Sequence, residues 1–225
     1  MVARLIVQTF VWYGLMGLIL FLAAGTLDWP GAWMFLAQMV VASLVGGVWL
    51  ARHDPALVQE RLGPPIQKDQ PIADKILLTG FILLFLGTLI LMALDAVRFE
   101  WSHVPAWVQA IGELILLLSL WVGFRTLREN SFAAPVVKIQ KDRGQTVVTT
   151  GLYQYVRHPM YAGALLFFVG TSLLLGSWWG LAAALALAVL LGIRIQIEER
   201  TLRAGLQGYD DYAARVRYRL IPMVW

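Results

Sequence analysis

The chain changes character at Gly151-Leu152-Tyr153-Gln154-Tyr155-Val156-Arg157-His158-Pro159-Met160-Tyr161-Ala162-Gly163, where a polar, basic segment meets a long apolar run. Because proline fixes its own φ and keeps the preceding residue out of the α region, we expect His158 to be extended and Pro159 to begin a helix. An arginine, a histidine and a tyrosine would then gather where a membrane helix emerges into water. A second polar cluster, from Arg194 to Glu199, follows one helical hairpin later. We predict that the two clusters face each other.

The composition of the 225 residues is that of a membrane protein. Hydrophobic residues make up 59% and charged residues 14%, against roughly 45–50% and about 25% in soluble domains. The absence of cysteine excludes disulfides, thiolate nucleophiles and cysteine-ligated metals. A pI near 9.6 could indicate nucleic-acid binding, but in a chain this apolar the basic cytoplasmic loops of a membrane protein explain it better, and no nucleic-acid partner is predicted.

Six apolar runs are long enough, or nearly so, to cross a hydrocarbon core of about 30 Å, which takes roughly 20 helical residues. They cover 5–25, 32–51, 76–95, 106–124, 160–176 and 178–195. The fold prediction is therefore an all-α, polytopic membrane protein with about six transmembrane helices. A cleaved signal peptide is the competing interpretation of the first run, but that run is longer than the roughly 7–15 residues of a signal core, and we expect it to be retained.

The basic residues alternate along this threading. Of the 18 lysines and arginines, only Arg98 falls on one side of the six spans. The others lie before the first helix, in the 52–75 loop, in the 125–158 segment and in the tail from Arg194 onward. The positive-inside rule then predicts that both termini are cytoplasmic. The Ala/Leu/Gly-rich composition favours a prokaryotic plasma membrane.

Arg194 and Glu198 are four residues apart, so they share one helix face. A structural ion pair is one explanation. An arginine just inside an apolar helix is costly, however, and such residues usually line a cavity or a site, so we favour a functional role for both. Glu199 lies about 100° further round the helix, and we expect it to be structural and to pair with Arg203.

Other patterns carry less chemistry. The 157–161 run has a simpler interpretation as a helix entry with a snorkelling arginine. Tyr209 and Tyr212 begin a helical spacing that predicts an amphipathic surface helix ending at Pro222, with mainly packing roles. Neither a dinucleotide-binding nor a P-loop motif occurs, and the three histidines lack metal-site spacing, so no metal is predicted.

Several short motifs follow one another in a definite order and spacing. They are the run 145–153, then 157–161, then Glu198-Glu199, Gly208, Tyr209, Tyr212 and the 215–222 end. In combination they resemble the isoprenylcysteine carboxyl methyltransferase family, within a wider membrane group that includes phospholipid N-methyltransferases. The match covers about the last 100 residues.

The resemblance implies a membrane methyltransferase that uses S-adenosylmethionine without a Rossmann fold, the cofactor being enclosed by cytoplasmic segments. By position, it implies a cofactor pocket formed by Gln145, Thr146, Val147, Val148, Tyr153, His158, Pro159, Met160, Tyr161 and Glu198. It places Arg194 on the substrate side as the catalytic, acceptor-orienting residue. The whole chain would be one membrane domain, with variable helices in 1–127 and the cofactor-binding half in 128–225.

The acceptor stays open at this point. A lipid-like or hydrophobic acceptor is implied, with an isoprenylcysteine-like carboxylate first and a phospholipid or small-molecule amine or thiol second. A carboxylate needs no base, whereas an amine or thiol must lose a proton. Two other classes compete: a sterol-reductase-like membrane enzyme that uses NADPH, and a non-catalytic membrane protein whose polar clusters anchor the tail.

Overall fold

The computed structural model describes residues 1–64, 66–67 and 70–225, so Lys68, one of the basic residues counted above, lies outside it. Within these residues the fold is all-α, with no strand. The helices are α1 (Val2–Ala24), α2 (Pro30–His53), α3 (Pro55–Arg61), α4 (Ile72–Ala93, continued by a π-helical turn Leu94–Arg98), α5 (Ala106–Glu129), α6 (Pro159–Leu174), α7 (Trp178–Gly205) and α8 (Tyr209–Arg215).

The predicted polytopic fold is confirmed. Among the described residues, α1, α2, α4, α5 and α7 are long and apolar enough to cross a membrane. The sixth, α6, has 16 residues, about 24 Å at 1.5 Å per residue. Two boundaries differ from expectation: α7 continues to Gly205, and α8 ends at Arg215 instead of Pro222.

The helix ends meet at two opposite faces of the bundle. At one face, Arg4 at the start of α1 donates to the carbonyl of Leu62, beyond α3. We call this the basic face; it also holds the 130–158 segment, the end of α7 and the tail. At the far face, Arg98 after α4 donates to the carbonyl of Ala23 at the end of α1. The helices therefore alternate in direction, as the charge pattern predicted.

Glycines let α5 and α6 approach closely. A methyl group on Gly170 of α6 would lie 2.6 Å from the backbone nitrogen of Leu116 in α5, and one on Gly112 would lie 2.6 Å from the nitrogen of Leu174. Real side chains do not make such contacts, so the pair depends on the missing Cβ atoms. This contact fixes the direction in which α6 delivers its first residues to the basic face.

At the basic face, α3 is held against the segment that follows α5. Lys138 Nζ lies 2.6 Å from Glu60 Oε1, and Arg61 donates to the carbonyl of Ala133 at 2.9 Å. The connection between α2 and α4 is thus tied to the segment that leads into α6, which encloses this end of the bundle.

Candidate active site

The start of α6 matches the sequence prediction. His158 has φ −127° and ψ 63°, outside the α region, and Pro159 is the first helical residue. The amide groups of Arg157 and His158 donate to the carbonyls of Tyr218 and Arg219, both at 2.9 Å. The tail therefore docks alongside the entry to α6 and closes one wall of the site.

The two polar clusters face each other, as predicted. Tyr161 Oη donates to Glu198 Oε2 at 2.5 Å across the α6–α7 interface. The His158 ring stacks on Tyr161 with centroids 5.6 Å apart, and His158 Nδ1 lies 4.0 Å from Glu198 Oε1. Three residues expected to contact the cofactor thus share one small volume.

Glu199 is the centre of a buried ion network. Its Oε1 accepts from Arg157 Nε at 2.7 Å and lies 3.2 Å from His158 Nε2, while its Oε2 accepts from Arg219 Nε at 3.3 Å. The predicted pairing with Arg203 is wrong, because Arg203 extends outward and pairs with Asp210. The 100° step round α7 points Glu199 at the start of α6 and at the tail.

Arg194 is held by a partner that the sequence did not indicate. Its Nε donates to Asp74 Oδ1 at 2.8 Å, and its Nη2 donates to the carbonyl of Pro135 at 2.5 Å. Asp74 is fully buried and also accepts from Gln70 Nε2 at 2.7 Å. Arg194 therefore pairs with Asp74 and not with Glu198, the partner considered from the sequence. The guanidinium lies 5.8 Å from the centre of the Tyr161 ring, so Arg194 still borders the site.

The remaining predicted cofactor residues are only partly brought together. Val147 and Val148 pack on the buried cluster that contains Tyr153. Tyr153 Oη accepts from the Asn130 amide at 2.7 Å, and burial raises the pKa of this phenol, which keeps it protonated. The Glu198 carboxylate is close enough to act electrostatically on Tyr153, which links this cluster to the α6–α7 pair.

The other four predicted residues are placed less centrally. Gln145 Oε1 accepts from the Gln140 amide at 2.7 Å and so braces its own loop. Thr146 is exposed, Pro159 is buried and Met160 is half-buried. The structure gives none of these four a polar contact to Glu198, Tyr161 or His158.

The charges of the site leave one carboxylate without a bonded cation. Glu199 has Arg157 and Arg219, and Asp74 has Arg194. Glu198 has no arginine or lysine nitrogen within 4.0 Å among the described residues; the imidazole Nδ1 of His158 lies 4.0 Å from its Oε1, and the Glu198 side chain is 28% exposed. A partly accessible carboxylate beside a phenol and an imidazole can bind an ammonium group. The donor set therefore fits a ligand that carries a cation.

Comparison with known proteins identifies relatives of this chain. A family model described as phospholipid methyltransferase matches residues 107–207. Protein-S-isoprenylcysteine O-methyltransferase B of Arabidopsis thaliana is 38% identical over 87 residues, which are 36% of this chain and 42% of that protein. A probable protein-S-isoprenylcysteine O-methyltransferase of Oryza sativa subsp. indica is 31% identical over 117 residues, 51% of this chain and 58% of that protein. The matched part spans 42% of the first of these relatives and 58% of the second.

A solved structure extends the likeness to the helices before the matched region. The eukaryotic intramembrane Ras methyltransferase ICMT (isoprenylcysteine carboxyl methyltransferase) aligns with 95% of this chain and 74% of its own, with a TM-score of 0.56 and 24% sequence identity. At that identity the likeness establishes the polytopic fold. Together with the relatives above, it confirms the resemblance that the sequence motifs indicated.

Proposed function

We propose that this chain, whose C-terminal half is related to the membrane isoprenylcysteine and phospholipid methyltransferases, is an integral membrane methyltransferase that uses S-adenosylmethionine. One observation carries the proposal. Glu198 stands at the basic face beside Tyr161 and His158 with no bonded cation among the described residues, and it lies inside the region that matches the methyltransferase family model.

The cofactor would be held at its amino-acid end by charged and polar side chains and at its adenosine end by apolar ones. Glu198 would bind the α-ammonium group of the cofactor, and Tyr161 and His158 would hold the Glu198 carboxylate in place. Tyr153, Val147 and Val148 would offer apolar surface to the adenosine. Gln145, Thr146, Pro159 and Met160 are proposed to complete the pocket by their position in the motif. When bound, S-adenosylmethionine supplies the methyl group, its S–CH3 bond breaking as the bond to the acceptor forms. The protein then contributes mainly by holding the acceptor in line at about 3 Å.

For the acceptor we propose a carboxylate on a hydrophobic chain, as in an S-prenylated cysteine. Arg194 borders the site from the membrane side of Glu198, and its Nε and Nη2 are engaged by Asp74 and Pro135. Nη1, which bonds to none of the described residues, would orient an acceptor oxygen. A carboxylate needs no base, and none of the described side chains near Tyr161 is placed as a dedicated one.

Two other functions fit less well. A phospholipid amine must lose a proton before it accepts a methyl group, and the carboxylate nearest to Tyr161 is the one assigned to the cofactor. A nicotinamide dinucleotide would bring phosphates beside the partly exposed Glu198 carboxylate, which would repel them.

The cofactor is tested by equilibrium binding of S-adenosylhomocysteine to detergent-solubilised protein. Loss of a charge-assisted hydrogen bond in Glu198→Gln should weaken binding by roughly 10- to 150-fold, which corresponds to about 1.5–3 kcal/mol. Glu100→Gln, at an exposed position on the far face, is the matched control and should bind like the unaltered protein. Binding of NADPH in place of S-adenosylhomocysteine, or equal affinity of a folded Glu198→Gln variant, would refute the assignment.

The acceptor is tested by methylation assays in lipid nanodiscs with three compounds. An N-acetylated S-farnesyl cysteine should accept a methyl group, and its C-terminal amide, which matches it except for the carboxylate, should not. Phosphatidylethanolamine distinguishes the second candidate. Methylation of this amine without methylation of the farnesyl cysteine would reject the carboxylate and leave the methyltransferase assignment standing.

The proposed orientation puts the basic face in the cytoplasm, because all basic residues but Arg98 belong to that end of the threading. The cofactor would then enter from the cytoplasm and the acceptor from the membrane. We keep the division at 127/128 as part of the proposal, with acceptor choice assigned to the first four membrane helices. A prokaryotic plasma membrane stays a prediction from composition, and the relatives named above are eukaryotic.

A further inference from the structure

Tyr209, the first residue of α8, carries a buried hydroxyl group. Its side chain is 4% exposed, and its Oη has no hydrogen-bond partner among the described residues. Tyr212, one turn later, is buried to a similar degree, but its Oη donates to the carbonyl of Tyr153 at 2.8 Å. Buried polar groups are nearly always bonded, so an orphan hydroxyl calls for a partner that binds from outside the chain.

The position of Tyr209 suggests what that partner is. Its ring belongs to the cluster that includes Tyr153 and on which Val147 and Val148 pack. The carboxylates of Glu199 and Glu198 also act electrostatically on its phenol. Tyr209 thus shares a buried cluster with residues proposed to contact the adenosine. Burial, followed by these two carboxylates, raises the pKa of Tyr209, so its hydroxyl stays protonated and can donate.

We propose that the Tyr209 hydroxyl group binds the nucleoside part of the adenosyl cofactor, an assignment that rests on the proposed function. The tyrosines and aliphatic residues of the Tyr209 cluster suit a flat base or a ribose better than the charged amino-acid end, which Glu198 serves; one charged neighbour is Arg203, whose guanidinium lies 6.0 Å from the centre of the Tyr209 ring. The hydroxyl is sealed from solvent in this structure. Val147 and Val148, which pack on the cluster, would have to move for the cofactor to reach it, and Thr146 beside them is exposed.

A pair of tyrosine variants separates this role from a structural one. Tyr209→Phe removes a hydroxyl that bonds to none of the described residues, so the melting temperature should stay equal or rise. Its affinity for S-adenosylhomocysteine should nevertheless fall roughly 3- to 10-fold, the loss of one neutral hydrogen bond. Tyr212→Phe removes the bond to the Tyr153 carbonyl, so it should lower the melting temperature. A Tyr209→Phe variant that melts lower and binds normally would overturn the proposal.

A second probe tests the part of the ligand that Tyr209 contacts. 5′-Methylthioadenosine keeps the nucleoside and lacks the amino-acid end, and its affinity can be measured by displacement of labelled S-adenosylhomocysteine. Tyr209→Phe should weaken both compounds by the same factor, whereas Glu198→Gln should weaken S-adenosylhomocysteine alone.

The outcomes distinguish the two claims. If Tyr209→Phe spares methylthioadenosine, or if methylthioadenosine displaces nothing from the unaltered protein, the nucleoside assignment is overturned. If Tyr209→Phe spares both compounds while Glu198→Gln still weakens S-adenosylhomocysteine, this inference fails and the proposed function stands. If the unaltered protein binds no S-adenosylhomocysteine, the proposed function fails and the inference fails with it.

Discussion

Replacing Glu199 by glutamine should destabilise the protein strongly, because this carboxylate compensates buried positive charge. Arg157 is 7% exposed, and its Nε lies 2.7 Å from Glu199 Oε1. A glutamine keeps the shape and removes the charge, which leaves the guanidinium buried and unpaired. Breaking a buried pair in this way typically costs about 3–5 kcal/mol. At roughly 2–4 °C per kcal/mol for a chain of this size, the melting temperature should fall by roughly 6–20 °C.

The assay is thermal unfolding in one detergent, followed by tryptophan fluorescence. The matched control is Asp210→Asn, which breaks the pair with Arg203 at the surface, where the two side chains are 69% and 44% exposed. Exposed pairs contribute about 0–1 kcal/mol, so the control should melt within a few degrees of the unaltered protein.

A double variant completes the test. Arg157→Met combined with Glu199→Leu removes both charges together, and well-packed apolar replacements of buried pairs are often neutral. The double variant should therefore melt higher than Glu199→Gln alone. If Glu199→Gln melts within 2 °C or so of the control, Glu199 is not compensating a buried charge and the network described here does not hold the basic face together.

Three further outcomes are expected. Since the chain has no cysteine, His103→Cys and Lys141→Cys, both exposed, should label from opposite sides of sealed vesicles, and labelling of both from one side contradicts the alternating helices. Gly170→Ala should destabilise by about 1–3 kcal/mol, as overpacking does, whereas Gly14→Ala, where a methyl group meets nothing within 4 Å, should be neutral or stabilising in the same unfolding assay. Arg194→Lys should keep S-adenosylhomocysteine affinity within about twofold but lower kcat/KM for the farnesyl cysteine by about tenfold, because an ammonium cannot replace the planar guanidinium; equal losses of both would make Arg194 a brace for the cofactor site.

The parts of the fold that follow local rules were predictable from the sequence. Hydropathy gave the membrane helices, and the His158-Pro159 step gave the start of α6, because proline acts on its own φ and on the residue before it. The contact between Tyr161 and Glu198 was also within reach, since a tight turn at Gly176 makes α6 and α7 antiparallel neighbours. In each case the determining residues are close together in the chain.

The tail shows where local rules fail. The spacing of Tyr209 and Tyr212 predicted a helix as far as Pro222, and a helix would have used the carbonyls of residues 218 and 219 within itself. Those two carbonyls accept instead from the amide groups of Arg157 and His158. These amides lie at the start of α6, where no carbonyl within that helix can accept from them, so the tertiary contact outweighs the helical periodicity of the tail.

Asp74 could not have been found from the sequence, because it lies 120 positions from Arg194. Within the span of α4 it is an acidic residue in the first turn, with no local sign of its partner. The sequence did signal that Arg194 needs compensation, since a charge in an apolar helix is costly. It could not show that the compensating charge is a carboxylate of the protein, Asp74, and not a bound ligand. Because Asp74 occupies part of the Arg194 guanidinium, it limits which guanidinium nitrogens can bind an acceptor.

Glu198 and Glu199 are neighbours in the chain, yet the fold gives them opposite surroundings. The 100° between them turns Glu199 to Arg157 and Arg219, where two guanidinium groups neutralise it, and turns Glu198 to a phenol and an imidazole. Asp74 already pairs with Arg194 on the same side of α7, which leaves Glu198 without a bonded arginine or lysine among the described residues. One buried carboxylate holds α6, α7 and the tail in register, and this rigid frame is what keeps the adjacent carboxylate accessible to a cation at the membrane surface.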